Sequence, residues 1–140
     1  MAVVTTVLVP TRFITMVGHF IACVLVFWTK GDNVHAGLPL QYSTVQFDRA
    51  QASLTTALVL SMAFFVIELF GFWSGLTMFL HTHNFMHVIF HVAGCIATSI
   101  FIVEGSHYML FWIYFAVFNA LPGLVELVRI VSSALVRKQW

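Results

Sequence analysis

Four long apolar segments alternate with polar stretches along the chain. They cover residues 7–28, 54–73, 85–103 and 108–131. Each reaches or approaches the roughly 20 helical residues that cross about 30 Å of hydrocarbon. Residues 21–28 do not alternate between apolar and polar positions, as a strand of a membrane barrel would. The pattern therefore predicts an all-α membrane protein with four transmembrane helices packed as a bundle.

The connections predict how these helices are arranged. Short second and third links make consecutive helices antiparallel, so that both termini lie on the same face of the membrane. The first link, residues 29–53, is long and opens with a turn signal. Ser43 and Gln46 have the spacing of a capping box, and we expect the second helix to begin near Ser43. Residues 1–140 are thus predicted to form a single transmembrane domain.

Composition and charge narrow the class of protein. Hydrophobic residues make up 61% of the 140 residues and charged residues only 8%, against about a quarter charged in soluble proteins. A net charge of +1 provides no basic surface for a phosphate backbone, which excludes a nucleic-acid-binding protein. Cys23 and Cys95 lie in apolar segments and are interpreted as buried apolar side chains.

The basic residues predict the orientation in the membrane. Arg12 lies near the start of the first segment, and Arg137 and Lys138 follow the fourth, which places all three on one face. Lys30 and Arg49 fall on the other face. Because cytoplasmic flanks carry the excess of basic residues, both termini are predicted to be cytoplasmic and the first link non-cytoplasmic.

Three charged residues lie deep within the predicted helices, namely Glu68, Glu126 and Arg129. Each costs roughly 3 kcal/mol in hydrocarbon, so we expect all three to point into protein. Glu126 and Arg129 are three positions apart on one helix and are predicted to form an ion pair. An ion or proton pathway is the alternative interpretation.

Histidines supply the other candidate chemistry. His83, His87 and His91 recur every four residues and form one stripe on a helix. The spacing is similar to that of diiron desaturases, but those enzymes need several such clusters, so a metal-dependent enzyme is not predicted. His83, together with His81, is expected to lie in the second link.

A polar layer is predicted in the cytoplasmic half of the bundle. His19 and His91 lie at depths that differ by roughly 3 Å, and Glu68 and Glu126 return to a similar depth. We predict that these residues, with Arg129, form hydrogen bonds that fix the helix register. Ligation of a haem or metal by His19 and His91 is the alternative. No catalytic residue, cofactor or metal is predicted.

Two local motifs predict a close helix contact and a bend in a helix. Gly71 and Gly75 form a GxxxG beside Glu68, which predicts a close contact with a partner helix. Pro122 followed by Gly123 is expected to bend the fourth helix.

Several motifs together resemble the transmembrane protein 107 family over residues 9–126. They are Val9-Pro10-Thr11-Arg12-Phe13, Leu38-Pro39-Leu40, the block Glu68-Leu69-x-Gly71-Phe72-x-Ser74-Gly75, and Ala120-Leu121-Pro122. A histidine similar to His91 belongs to this resemblance, whereas His83 and His87 depart from it. The resemblance implies a four-span protein of the ciliary transition zone, which acts with Meckel syndrome and tectonic proteins in a gate for membrane proteins.

The predicted function is therefore that of a non-enzymatic membrane scaffold without a cofactor. Its partners are expected to be other membrane proteins and lipids, with self-association as a further option. Two alternatives remain at this point, a cofactor-binding membrane subunit and an accessory subunit of another large membrane complex.

Overall fold

Four helical spans form the molecule in the computed structural model, which describes the backbone of residues 2–137 and the side chains of residues 6–136. Helix α1 is Ala2–Ala36, α2 is Thr44–Trp73 and α3 is His81–Val103. The fourth span consists of α4 (Leu110–Tyr114), a π-helical segment (Phe115–Ala120) and α5 (Leu121–Arg137). All four are long and apolar enough to cross a membrane, and the described residues contain no strand. The predicted fold class is confirmed.

The helices are longer than the apolar segments from which they were predicted. Helix α1 continues past Trp28 to Ala36, so the first link shortens to residues 37–43. The capping box is present, because the Ser43 Oγ accepts from the Gln46 amide at 3.3 Å and the Gln46 Oε1 accepts from the Ser43 amide at 2.9 Å. Polar residues thus extend the helices beyond the stretch that hydrophobicity alone marks out.

The start of α3 corrects one expectation. His81 and His83 were expected in the second link, but they lie in the first turn of α3. His83 is buried against the rest of the bundle. The link that precedes it is a series of turns over residues 74–79.

The fourth span is irregular next to Pro122. Proline has no amide hydrogen to donate within a helix. In the turn before it, the Leu121 amide donates to the Ala116 carbonyl, five residues back. This wider π-helical turn accommodates the missing donor of Pro122.

The packing places the spans in a ring. Helix α1 packs against α2 and α3, and the fourth span packs against α2 and α3 on the other side. Consecutive spans are antiparallel, whereas α1 and α3 run in the same direction. A Cβ at Gly94 of α3 would overlap the His19 imidazole of α1, so glycine at this position permits their close approach.

The two halves of the bundle have different interiors. The half next to the first and third links is apolar, with a core that includes Cys23, Val26, Leu54 and Phe101. Asn33 closes this end, since its Nδ2 donates to the Phe101 and Ser106 carbonyls at 2.9 Å each. The half nearest the termini contains the buried charges. Its predicted cytoplasmic orientation stays a prediction, and the side chains of Arg137 and Lys138 lie outside the described residues.

Labelling of introduced cysteines tests the topology. Leu40 and Glu104 lie exposed in the first and third links, and Phe79 lies exposed in the second. After Cys23→Ala and Cys95→Ala, we expect Leu40→Cys and Glu104→Cys to react with an impermeant reagent from one face of the membrane. Phe79→Cys should react from the opposite face. Reaction of all three from the same face would contradict four crossings.

Substitution of two glycines tests the contact between α1 and α3. Gly94→Ala places a Cβ against the His19 ring, and overpacking of this kind destabilises by about 1–3 kcal/mol. Gly18→Ala is the matched control, because nothing lies within 4 Å of its added Cβ. The control should be neutral or stabilising by up to about 1 kcal/mol. Thermal unfolding in detergent measures both, and equal effects would exclude the close contact.

Candidate functional site

A cluster of buried polar side chains fills the half of the bundle nearest the termini. It receives side chains from all four spans and from the second link, and none is more than 7% exposed. The members are Arg12, His19, Glu68, Thr77, His83, Asn84, His87, His91 and Glu126. Because a buried charge is strongly unfavourable unless it is paired and hydrogen-bonded, the contacts among these side chains decide whether the bundle is stable.

The first centre of the cluster is an ion pair between the first and last spans. The Arg12 Nη2 donates to the Glu126 Oε2 at 2.8 Å, and both side chains are fully buried. The Arg12 Nη1 donates to the Asn84 Oδ1 at 2.8 Å and to the Thr77 Oγ1 at 3.3 Å. The guanidinium also lies over the Phe72 ring, 5.5 Å from its centroid, in a cation–π contact.

Glu126 is surrounded by further donors. Its Oε1 accepts from the Thr77 hydroxyl at 2.6 Å, and its Oε2 lies 2.5 Å from the His83 Nε2. A Cβ at Gly71 of α2 would overlap this carboxylate, so glycine makes the room that Glu126 occupies. Both carboxylate oxygens are therefore hydrogen-bonded within the chain.

The predicted pairing of Glu126 with Arg129 is wrong. Arg129 is exposed, and the described part of the chain gives it no ion pair or hydrogen bond. The expectation that it points into protein and joins the polar layer is wrong for the same reason. Arg12 takes its place, because α1 begins at Ala2 and carries Arg12 inside the bundle rather than beside it. The apolar residues that precede Arg12 could have indicated that the helix begins before it and buries it.

The second centre of the cluster is Glu68 of α2. Its Oε2 lies 2.9 Å from the His87 Nδ1 and 2.8 Å from the His91 Nε2, both on α3. The other nitrogen of His91, Nδ1, lies 3.4 Å from the His19 Nδ1. Because a neutral imidazole offers one donor and one acceptor, the Glu68 Oε2 can accept a hydrogen bond from both His87 and His91.

His87 connects the two centres. Its Nε2 lies 3.5 Å from the Glu126 Oε2, while its Nδ1 faces Glu68.

The structure therefore brings His19, Glu68, His91 and Glu126 into one cluster. Depth along the helices had pointed to these four residues, but it did not reveal the side chains that join them. Arg12, Thr77, His83, Asn84 and His87 were missed, and of these only the histidine stripe carried a recognisable spacing.

The GxxxG motif does not form a surface for a partner helix. Helix α2 ends at Trp73, so Gly75 lies in the following turn, where its φ of 73° favours glycine. Gly71 is buried against Glu126, and Glu68 is buried against the histidines. The prediction of a partner contact is therefore wrong for Glu68 and Gly71, since both act within the chain, whereas a partner contact at Gly75 stays a prediction.

The cluster contains two sets of side chains arranged like metal ligands. In each set the candidate ligand atoms lie within 4.8 Å of one another and all residues are buried. The first set is Glu68, His87 and His91, and the second is His83, His87 and Glu126. A haem between His19 and His91 does not fit, because their Nδ1 atoms are only 3.4 Å apart and leave no space for a macrocycle.

The fold and the cluster together define a four-span integral membrane protein whose charged interior is built from its own helices. A family model, TMEM107, described as a transmembrane protein, matches residues 8–130. The chain belongs to this transmembrane protein 107 family, as its sequence motifs had indicated.

Relatives of the same name support this assignment. The chain is 33% identical to transmembrane protein 107 of Danio rerio over 90% of its own length and 93% of the relative's. It is also 33% identical to the Homo sapiens protein over 89% of each chain, and 34% identical to the Rattus norvegicus protein over 85% of each. No solved structure gives a significant match.

Replacement of the two arginines tests the ion pair. Arg12→Leu leaves the Glu126 carboxylate buried without its cation, and loss of one partner of such a pair destabilises by about 3–5 kcal/mol. Arg129→Leu should change stability by no more than about 0.5 kcal/mol, because Arg129 is exposed. We expect the double variant Arg12→Leu/Glu126→Leu to be more stable than Arg12→Leu alone. Reversible unfolding in detergent measures these differences, and similar losses for both single variants would rule out the pairing.

Proposed function

We propose that this protein is a non-enzymatic scaffold of the ciliary transition zone. In this role it helps to assemble the membrane gate that contains Meckel syndrome and tectonic proteins, and so influences the composition of the ciliary membrane. The observation that carries the proposal is membership of the transmembrane protein 107 family across residues 8–130. The relatives' names state only that they are transmembrane proteins.

The distribution of polar groups supports a scaffold. Most of the buried charged and imidazole groups contact one another inside the bundle, whereas the outward faces of the spans are apolar. Exposed examples are Ile14, Val66, Ile96 and Val128, one on each span. Helices in a bilayer associate through the packing of such faces rather than through a hydrophobic force. The outer surface is therefore suited to lipids and to the helices of other membrane proteins.

The same apolar faces suit an accessory subunit of a different membrane complex. The cluster of histidines and carboxylates favours a second candidate, a metal-binding subunit. In both cases the helices would still associate with partners through their outer faces. Location and neighbouring proteins distinguish the scaffold from an accessory subunit, whereas bound metal identifies the metal-binding subunit.

Proximity labelling in ciliated cells tests the proposed location and partners. The tagged full-length protein should concentrate at the base of the cilium and label Meckel syndrome and tectonic proteins. An unrelated four-span protein with the same tag is the control for labelling that arises from membrane residence alone. Uniform distribution over other membranes, without enrichment of those partners over the control, would contradict the proposal.

A further inference from the structure

We propose that Glu68, His87 and His91 bind a divalent transition-metal ion in the interior of the bundle, with Zn²⁺ as the best match. The candidate ligand atoms come from α2 and α3, lie within 4.8 Å of one another and are buried. This assignment departs from the expectation, drawn from the sequence, that no metal binds. It also adds a ligand-binding site to a protein proposed to act through its outer faces.

The donor set and its spacing suit Zn²⁺. Two imidazoles and one carboxylate are a recurrent zinc ligand set, which leaves a fourth position for water or another donor. Ligands at about 2.0–2.2 Å from a tetrahedral ion lie roughly 3.3–3.6 Å apart. The Glu68 Oε2 is now 2.9 Å from the His87 Nδ1 and 2.8 Å from the His91 Nε2. Side-chain shifts of about half an ångström would therefore admit the ion.

Two buried atoms lack the hydrogen bonds that their position demands. The Glu68 Oε1 and the His87 Nε2 have no hydrogen-bond partner, although both residues are at most 1% exposed. Buried polar atoms are almost always satisfied, and each exception requires an explanation. A cation bound by Glu68 would balance the charge of a carboxylate that has too few hydrogen-bond donors, and ligation through the His87 Nδ1 would leave its Nε2 to donate.

Metal binding would also place the remaining proton of each ligating histidine on the nitrogen that faces an acceptor. Coordination through the His87 Nδ1 puts its proton on Nε2, which then faces the Glu126 Oε2 at 3.5 Å. Coordination through the His91 Nε2 puts its proton on Nδ1, which faces the His19 Nδ1 at 3.4 Å. Outer partners of this kind, a carboxylate or another acceptor behind a ligating imidazole, orient the ligands of many metal sites.

The balance of charge distinguishes this site from the second ligand set. Arg12 neutralises Glu126, and the oxygens of Glu126 already accept from Arg12, Thr77 and His83. A dication there would also be repelled by the guanidinium. No lysine or arginine in the described chain pairs with Glu68, so with neutral histidines the cluster carries one uncompensated negative charge. The ion belongs at Glu68.

A groove between α3 and the fourth span reaches one of the proposed ligands. It has a volume of about 250 Å³ and is lined by His83 and His87 at its polar side and by Phe90 and Pro122 at its apolar side. Arg129 also lines this groove. Glu68 and His91 lie deeper in the bundle, behind His87.

Metal analysis of the purified full-length protein tests the proposal. After equilibration with micromolar free Zn²⁺ in mild detergent and removal of unbound metal, we expect about one Zn²⁺ per chain by mass spectrometry. Co²⁺ in its place should give visible absorption bands. Glu68→Gln and His91→Gln should reduce the bound metal at least tenfold. His35→Gln and His107→Gln, both at exposed positions, are matched controls and should retain it.

Thermal unfolding keeps the test decisive if a variant folds poorly. Zn²⁺ should raise the unfolding temperature of the unsubstituted protein relative to a chelator, because the ion binds only the folded state. A protein with less than a tenth of an ion per chain, and the same unfolding temperature in Zn²⁺ and chelator, would overturn the proposal. Retention of Zn²⁺ by Glu68→Gln with its loss in His83→Gln would overturn the assignment to Glu68.

Discussion

The fully buried ion pair between Arg12 and Glu126 is the constraint on which the rest of the structure depends. It joins α1 to α5, two helices that lie diagonally across the ring and share little direct backbone packing. Each of the two charges would be expensive to bury without the other. The pair therefore fixes the depth of α1 and the rotation of α5 together. Gly71, which leaves room for the Glu126 carboxylate, follows from this requirement.

The other diagonal of the ring is held in a similar way. Helices α2 and α3 also lie across from each other, and Glu68 reaches His87 and His91 through the interior. Neighbouring helices are held mainly by apolar packing, with a few hydrogen bonds such as that from Arg12 to Asn84 between α1 and α3. Packing alone is not directional and permits small rotations. Hydrogen bonds between paired polar groups permit only one arrangement, which explains why polar residues lie on both diagonals. The apolar half of the bundle buries hydrophobic side chains, and the polar half determines the register of the helices.

The sequence was sufficient for the fold because lipid constrains the secondary structure strongly. Four apolar segments, the capping box at Ser43 and the irregularity near Pro122 were all expected, since each depends on local spacing. The partner of Glu126 was not predicted correctly. Spacing along one helix suggested Arg129, whereas the actual partner, Arg12, lies across the bundle. Which residues face one another depends on rotation and depth, and these are properties of the assembled helices. The polar layer could be predicted in part, because the depth of a residue in the membrane can be counted along its helix. The direction in which its side chain points cannot be counted in this way.

The histidine stripe shows how one feature can serve both stability and binding. His83, His87 and His91 extend over about 12 Å of α3, and together they contact both buried carboxylates. A neutral imidazole can donate to only one of two carboxylates, so His87 between Glu68 and Glu126 is satisfied on both sides only if a second cation is present. A bound metal ion meets that requirement, and it would tie α2 to α3. Any ligand of this site is therefore coupled to the register of the helices, and through it to the shape of the outer faces.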